Sequence, residues 1–118
     1  MVTLPQDGHV HSQWSWDAPR GHMERTCARA LELGLRSLAF TEHVDLTPWA
    51  LHGGTVPADS RGHMGRGTFL AGALDVDGYL ECVHRCRALF PDLEVLSGLE
   101  LSEPHLYPAA ISELLSGG

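Results

Sequence analysis

The stretch Asp7-Gly8-His9-Val10-His11, continued by Ser12-Gln13-Trp14-Ser15-Trp16-Asp17, decides how the chain is read. It sets two imidazoles one residue apart, with one carboxylate before them and another after. If residues 6–11 are extended, His9 and His11 project from one face, because side chains alternate along a strand, and Asp7 falls on that face too. Neutral imidazole binds zinc at about 2.0–2.1 Å, best when a carboxylate fixes its tautomer through the other ring nitrogen. Asp7 suits that orienting task or direct ligation. An H-x-H pair alone reads more simply as two surface histidines at a strand end. The flanking acids and the later histidines reverse that preference.

Outward from this stretch, residues 4–11 read as a first strand and residues 14–21 as a loop. Over 22–33, Met23, Cys27, Ala30 and Leu31 repeat at helical spacing, and Gly34 closes the helix at C′. Residues 35–41 (LRSLAFT) are a buried strand that delivers Glu42 and His43 at its end. Residues 44–75 hold many glycines and no sustained period, so they are expected to form a long flexible loop on the rim. A second helix is expected over 76–90, with Tyr79, Val83, Cys86 and Phe90 on one stripe, capped by Asp75 or Asp77 and ended by Pro91. Residues 93–101 (LEVLSGLEL) form a third strand carrying Glu100. Pro108 opens a last short helix with Ile111, Leu114 and Leu115 inward. Strand–helix alternation of this kind implies parallel βα units, an α/β fold whose working groups gather at the C-terminal strand ends. His9 and His11, then His43, then Glu100 all lie at such ends.

Composition narrows the function. The 118 residues are 43% hydrophobic, as in an ordinary globular chain, and carry a formal net charge of −7. All 8 basic residues are arginines. They form no basic stripe of the sort a nucleic-acid binder carries, so no nucleic-acid partner is expected. Eight histidines is a high count for the length and fits metal binding. Cys27, Cys82 and Cys86 have no zinc-ribbon spacing and read as buried thiols of a reducing cytoplasm. No secretory signal is evident, and no apolar run approaches the ~20 residues needed to cross a bilayer.

With these motifs in order, the sequence resembles the PHP (polymerase and histidinol phosphatase) superfamily of metal-dependent phosphoesterases. The resemblance is carried by D-x-H-x-H (Asp7, His9, His11), Ser15-Trp16-Asp17, Thr41-Glu42-His43 and Ser97-Gly98-Leu99-Glu100. Met23 to Cys27 and Ala39 to His43 look most like the histidinol-phosphatase branch. The resemblance implies a distorted seven-stranded TIM-like β/α barrel, with a cluster of two or three divalent ions (zinc, iron or manganese) at its rim. It implies His9, His11, Asp17, His43 and Glu100 as ligands, with Glu100 bridging two ions and Asp7 orienting a ligand. Residues 1–118 would be the N-terminal part of one such domain, three βα units of it. Further ligands are expected from a second half, so the sequence reads as truncated. Its incomplete sheet is expected to leave an edge and an apolar face uncovered.

The reaction implied is hydrolysis of a small phosphate monoester, with L-histidinol phosphate, a step of histidine biosynthesis, as the substrate. Two cations about 3.5–4 Å apart would activate a water and clamp phosphoryl oxygens. A non-catalytic metal-binding fragment, and a PHP exonuclease or phosphoesterase acting on another phosphate ester, are the alternatives. Candidate substrate contacts are Arg20, Arg61, Arg66 and His105, each weighed against an ordinary solvated surface role. Glu42 is either a partner of a metal ligand or an exposed acid. His52 and His63 read as loop histidines, His22 and His84 as helix residues away from the rim. Trp14, Trp16 and Trp49 either wall a pocket or pack. Ser12 and Ser15 lack the spacing of a nucleophilic triad.

Overall fold

The computed structural model describes residues 4–116. Its frame is a three-stranded parallel sheet with strand order β1-β2-β6, built from β1 (Asp7–Val10), β2 (Ser37–Val44) and β6 (Glu94–Leu101). The crossovers run through α1 (Met23–Glu32) and α2 (Val76–Leu89). Between β2 and α2, the strands β3 (Trp49–Ala50), β4 (Gly62–Met64) and β5 (Thr68–Ala71) form a second, antiparallel sheet of order β3-β5-β4. After β6 come a 3₁₀ turn over Pro104–Leu106 and then α3 (Pro108–Ser116).

Both long helices form where the apolar spacing predicts. His22 caps α1, its Nδ1 accepting from the Arg25 amide at 3.4 Å. At the other end the Gly34 amide reaches Leu31 O (3.0 Å) and the Leu35 amide reaches Ala30 O (2.9 Å), a Schellman ending. That ending requires a left-handed residue, and Gly34 supplies it at φ +86°. Asp75 caps α2 through the Gly78 amide at 3.0 Å. Met23, Cys27 and Ala30 of α1 and Tyr79, Cys82, Val83 and Cys86 of α2 bury themselves against Leu38, Phe40, Leu93 and Val95. Both helices therefore cover one face of the sheet. The Tyr79 hydroxyl pins α2 to β6 by donating to Gly98 O (3.0 Å) and accepting from the Gly98 amide (3.1 Å).

Along β2 the burial alternates strictly: Leu38, Phe40, Glu42 and Val44 are buried, whereas Ala39, Thr41 and His43 are only half covered. The less covered face is the one that carries His43 and Glu100, paired in register across β2 and β6.

Three expectations need correction. Residues 44–75, expected to be an irregular flexible loop, contain the second sheet. Its strands are too short to show a period, and they are held by Trp16, Phe69 and Ala71, a small core of their own. Asp7 does not share a face with His9. Asp7 pairs with Leu38 and Val10 with Phe40, so β1 spends three steps against two and bulges between them. Asp7 accordingly lines a hollow with Val10, Ala30 and Leu38 on the helix side. In α3, Ile111 is buried as expected, but Leu115 is 62% exposed.

Candidate metal centre

The site stands at the C-terminal ends of the three parallel strands. His9 and His11 come from the end of β1 and the residue after it, His43 from the end of β2 and Glu100 from the end of β6. Glu100 Oε2 lies 3.2 Å from His9 Nε2, 3.3 Å from His11 Nε2 and 2.7 Å from His43 Nε2. His9, His11 and Glu100 each offer a donor atom within 4.8 Å of the others. The rings sit close: His9 and His11 meet edge-on at 5.0 Å, and His11 and His43 lie 4.1 Å apart.

Glu100 Oε2 is buried, and none of these nitrogens meets it in hydrogen-bond geometry. His11 Nδ1 is likewise buried without a partner. A carboxylate oxygen and three imidazole nitrogens crowded this closely are the N/O donor set that suits a divalent cation. The residues present therefore fit a metal ion. His43 carries a further constraint, since its Nδ1 lies 2.8 and 2.9 Å from the two oxygens of Asp17. Burial works against the charged form of this imidazole. The Asp17 hydrogen bond, with the negative charges of Asp17, Glu100 and Asp45, outweighs that and raises its pKa above the usual 6.5.

The loop after β1 is fixed by contacts that spacing did not announce. Glu42 is fully buried, which removes its reading as an exposed acid. It accepts from Ser12 and Ser15, both fully buried as well, so neither hydroxyl is free to act as a nucleophile. Gln13 Oε1 accepts from the Met23 amide at 2.8 Å, tying the loop to the start of α1. Trp16 Nε1 donates to Asp45 at 2.6 Å, and its ring packs against Phe69 and Trp49, so this indole is core. The Arg61 guanidinium donates to the carbonyls of Gln13 and, at 2.8 Å, Ser15. Gly21 lies against the same loop, where a Cβ would sit 2.8 Å from Ser12 C.

The remaining candidates lie apart from the cluster. The Asp7 carboxylate accepts from the His9 amide at 3.2 Å, a contact with backbone and not with a ring. Arg20 pairs with Asp59 at 2.7 Å. Arg66 and His105 are exposed. Sequence reading missed Ser12, Gln13, Asp45 and Gly21. Ser12 and Glu42 had a usable signal, a hydroxyl beside the ligand pair and an acid on an apolar strand face.

The PHP domain family model matches residues 7–115. The chain belongs to the PHP domain family. No curated protein matches it by sequence. Solved structures share the fold, two of them described as histidinol phosphatases. One is the histidinol phosphate phosphatase of Lactococcus lactis subsp. lactis Il1403, determined with zinc, L-histidinol and phosphate (22% identity, TM-score 0.63). The other is a Listeria monocytogenes protein assigned as a histidinol phosphatase (18% identity, TM-score 0.64). Each likeness covers 96% of this PHP chain, which spans 36% and 40% of the respective neighbours. Among the described residues no helix is long and apolar enough to cross a membrane.

Proposed function

We propose that this PHP chain supplies metal ligands to a phosphoesterase centre that hydrolyses a small phosphate monoester, with L-histidinol phosphate as the substrate. The observation that carries the reading is the convergence of three imidazole nitrogens on the orphaned Oε2 of Glu100. His9, His11, His43 and Glu100 would hold the ion, zinc being the first to test, with iron and manganese as alternatives. Bound there, a divalent cation supplies Lewis acidity toward a phosphoryl oxygen and a water. Asp17 fixes the orientation of His43 through Nδ1, leaving Nε2 directed at the cluster. Asp17 itself becomes a ligand of a further ion if its carboxylate is released from that ring. Glu100, central to three imidazoles, is suited to bridging.

Arg66 and His105 are the sequence candidates for substrate contact left without a partner among the described residues, since Arg20 and Arg61 are engaged by Asp59 and by loop carbonyls. The histidinol phosphate assignment is supported by the branch-like segments Met23–Cys27 and Ala39–His43 and by the kinship in fold. Three buried free thiols suit a reducing cytoplasm.

The test is phosphate release from L-histidinol phosphate with zinc or manganese added, against p-nitrophenyl phosphate and single-stranded DNA. Preferential release from L-histidinol phosphate supports the full reading. Degradation of DNA without release from either monoester would overturn it. The second reading is metal binding by the His9, His11, His43 and Glu100 cluster without turnover. Zinc retained in equilibrium dialysis with no phosphate released from any substrate is its signature.

A further inference from the structure

We propose that Glu42 is a positioning residue of the metal centre, acting through Ser12 and Ser15. This rests on the reading of His9, His11, His43 and Glu100 as ligands. Glu42 and His43 are neighbours on β2 and therefore project to opposite faces. His43 enters the cluster, while Glu42 enters the apolar side between Phe40 and Val44 and is fully buried.

Among the described residues no arginine or histidine pairs with Glu42. A buried carboxylate without a countercharge is costly unless its oxygens are hydrogen-bonded. All its donors come from one short segment. The Ser12 amide donates to Oε1 at 3.1 Å and to Oε2 at 3.0 Å. The Ser12 hydroxyl donates to Oε1 and the Ser15 hydroxyl to Oε2, each at 2.5 Å.

That segment has a ligand immediately before it, His11, and Asp17 two residues after it. The Ser15 oxygen also accepts from the His43 amide at 3.0 Å. A closed ring results: Glu42 to Ser15, Ser15 to the His43 backbone, and His43 back to Glu42 along the strand. Asp17 completes it from the front by gripping the His43 ring. An apolar residue at position 42 would continue the pattern of Leu38, Phe40 and Val44 at lower desolvation cost. What the carboxylate adds is geometry, because it fixes where His11 and Asp17 stand relative to His43 and Glu100. The device acts from the face of the sheet opposite the site.

The test is zinc affinity of the full chain, by competition with a chromophoric chelator, for Ser15→Ala and Glu42→Gln. Melting of the metal-free protein is recorded beside it. Loss of an orienting partner behind a ligand typically weakens metal binding roughly 10–100-fold, and that loss is the expected result for both variants. A residue with only a structural role lowers the melting temperature and leaves the affinity of the folded protein unchanged. Should Glu42→Gln fail to fold, Ser15→Ala decides, since it leaves the Ser12 contacts in place. His43→Ala serves as the control on the underlying reading. If it abolishes binding while folded Ser15→Ala stays within about threefold of wild type, short of the roughly tenfold lower end of the expected span, the positioning role is overturned and the ligand reading stands. If His43→Ala binds zinc like wild type, the ligand reading itself is overturned.

Discussion

Removing the Ser12 and Ser15 hydroxyls one at a time should destabilise the metal-free protein in a fixed order. Ser12→Ala deletes one hydrogen bond to the buried Glu42 carboxylate and a long contact (3.5 Å) from the Trp14 amide, weaker than the 3.0 Å His43 contact at Ser15, but the Ser12 amide still donates to both oxygens. A hydrogen bond to a charged group is worth about 1.5–3 kcal/mol, and that is the expected cost. Ser15→Ala deletes an equivalent donor and also the acceptor for the His43 amide. The β1–β2 pairing ends at Val10 and Phe40, so no strand stands ready to take that amide. An amide left unsatisfied adds about 1–3 kcal/mol, which brings Ser15→Ala to roughly 2.5–6 kcal/mol, centred on about 4. Urea unfolding in the presence of a chelator measures both. With a slope of about 2 kcal/mol per molar urea, the midpoint should fall by about 1 M for Ser12→Ala and roughly 2 M for Ser15→Ala. Because both hydroxyls serve one carboxylate, the double variant should lose less than the sum, by at least about 0.5 kcal/mol. A larger loss in Ser12→Ala than in Ser15→Ala would refute the reasoning. So would strict additivity.

Zinc at about 100 times its dissociation constant should stabilise the chain by about 2.7 kcal/mol, visible as a rise in melting temperature that a chelator reverses. His11→Ala and Glu100→Gln should each abolish most of that rise, and an undiminished rise in both would dismiss the cluster as the binding site. Burial pushes the Tyr79 hydroxyl up to about 12. The folded chain therefore keeps this proton above pH 10 while the unfolded chain releases it, so stability falls as pH rises, by up to about 1.4 kcal/mol per unit. The buried thiols Cys27 and Cys86, also raised by desolvation, act in the same direction from lower pH. Tyr79→Phe should therefore flatten but not abolish the alkaline slope in urea midpoints, and an unchanged slope would count against this burial. Gly21→Ala places a methyl group against the Ser12–Gln13 peptide, 2.8 and 2.9 Å from its backbone atoms. It should cost about 1–3 kcal/mol and weaken zinc binding, whereas a neutral result in both assays would mean the loop yields freely.

How much of this was readable beforehand depends on whether the signal is local. The parallel frame was readable because α1 and α2 advertise their buried stripes every three or four residues and β2 and β6 are eight residues long. Ends of strands are then fixed by topology, which is why His9, His11, His43 and Glu100 meet although they are separated by most of the chain. The second sheet was hidden because strands of two to four residues have no period, and the Trp16–Phe69 contact that supports it spans more than fifty positions. Asp7 was misplaced by a bulge, a single extra residue that inverts the alternation and leaves no mark in composition. Glu42 differs from these, because its burial follows from a pattern already visible. Leu38, Phe40 and Val44 define a buried face on alternate positions of β2, and position 42 lies on it. An acid there must be neutralised, paired or surrounded by donors. With no lysine in the chain and Arg36, the nearest arginine in sequence, not paired with Glu42, hydroxyl and amide donors were the remaining resource, and they come from the Ser12–Ser15 segment beside the ligand pair. An acid that breaks an apolar alternation is thus a pointer to the loop that must come to meet it. Here that loop is the one that carries His11 and Asp17.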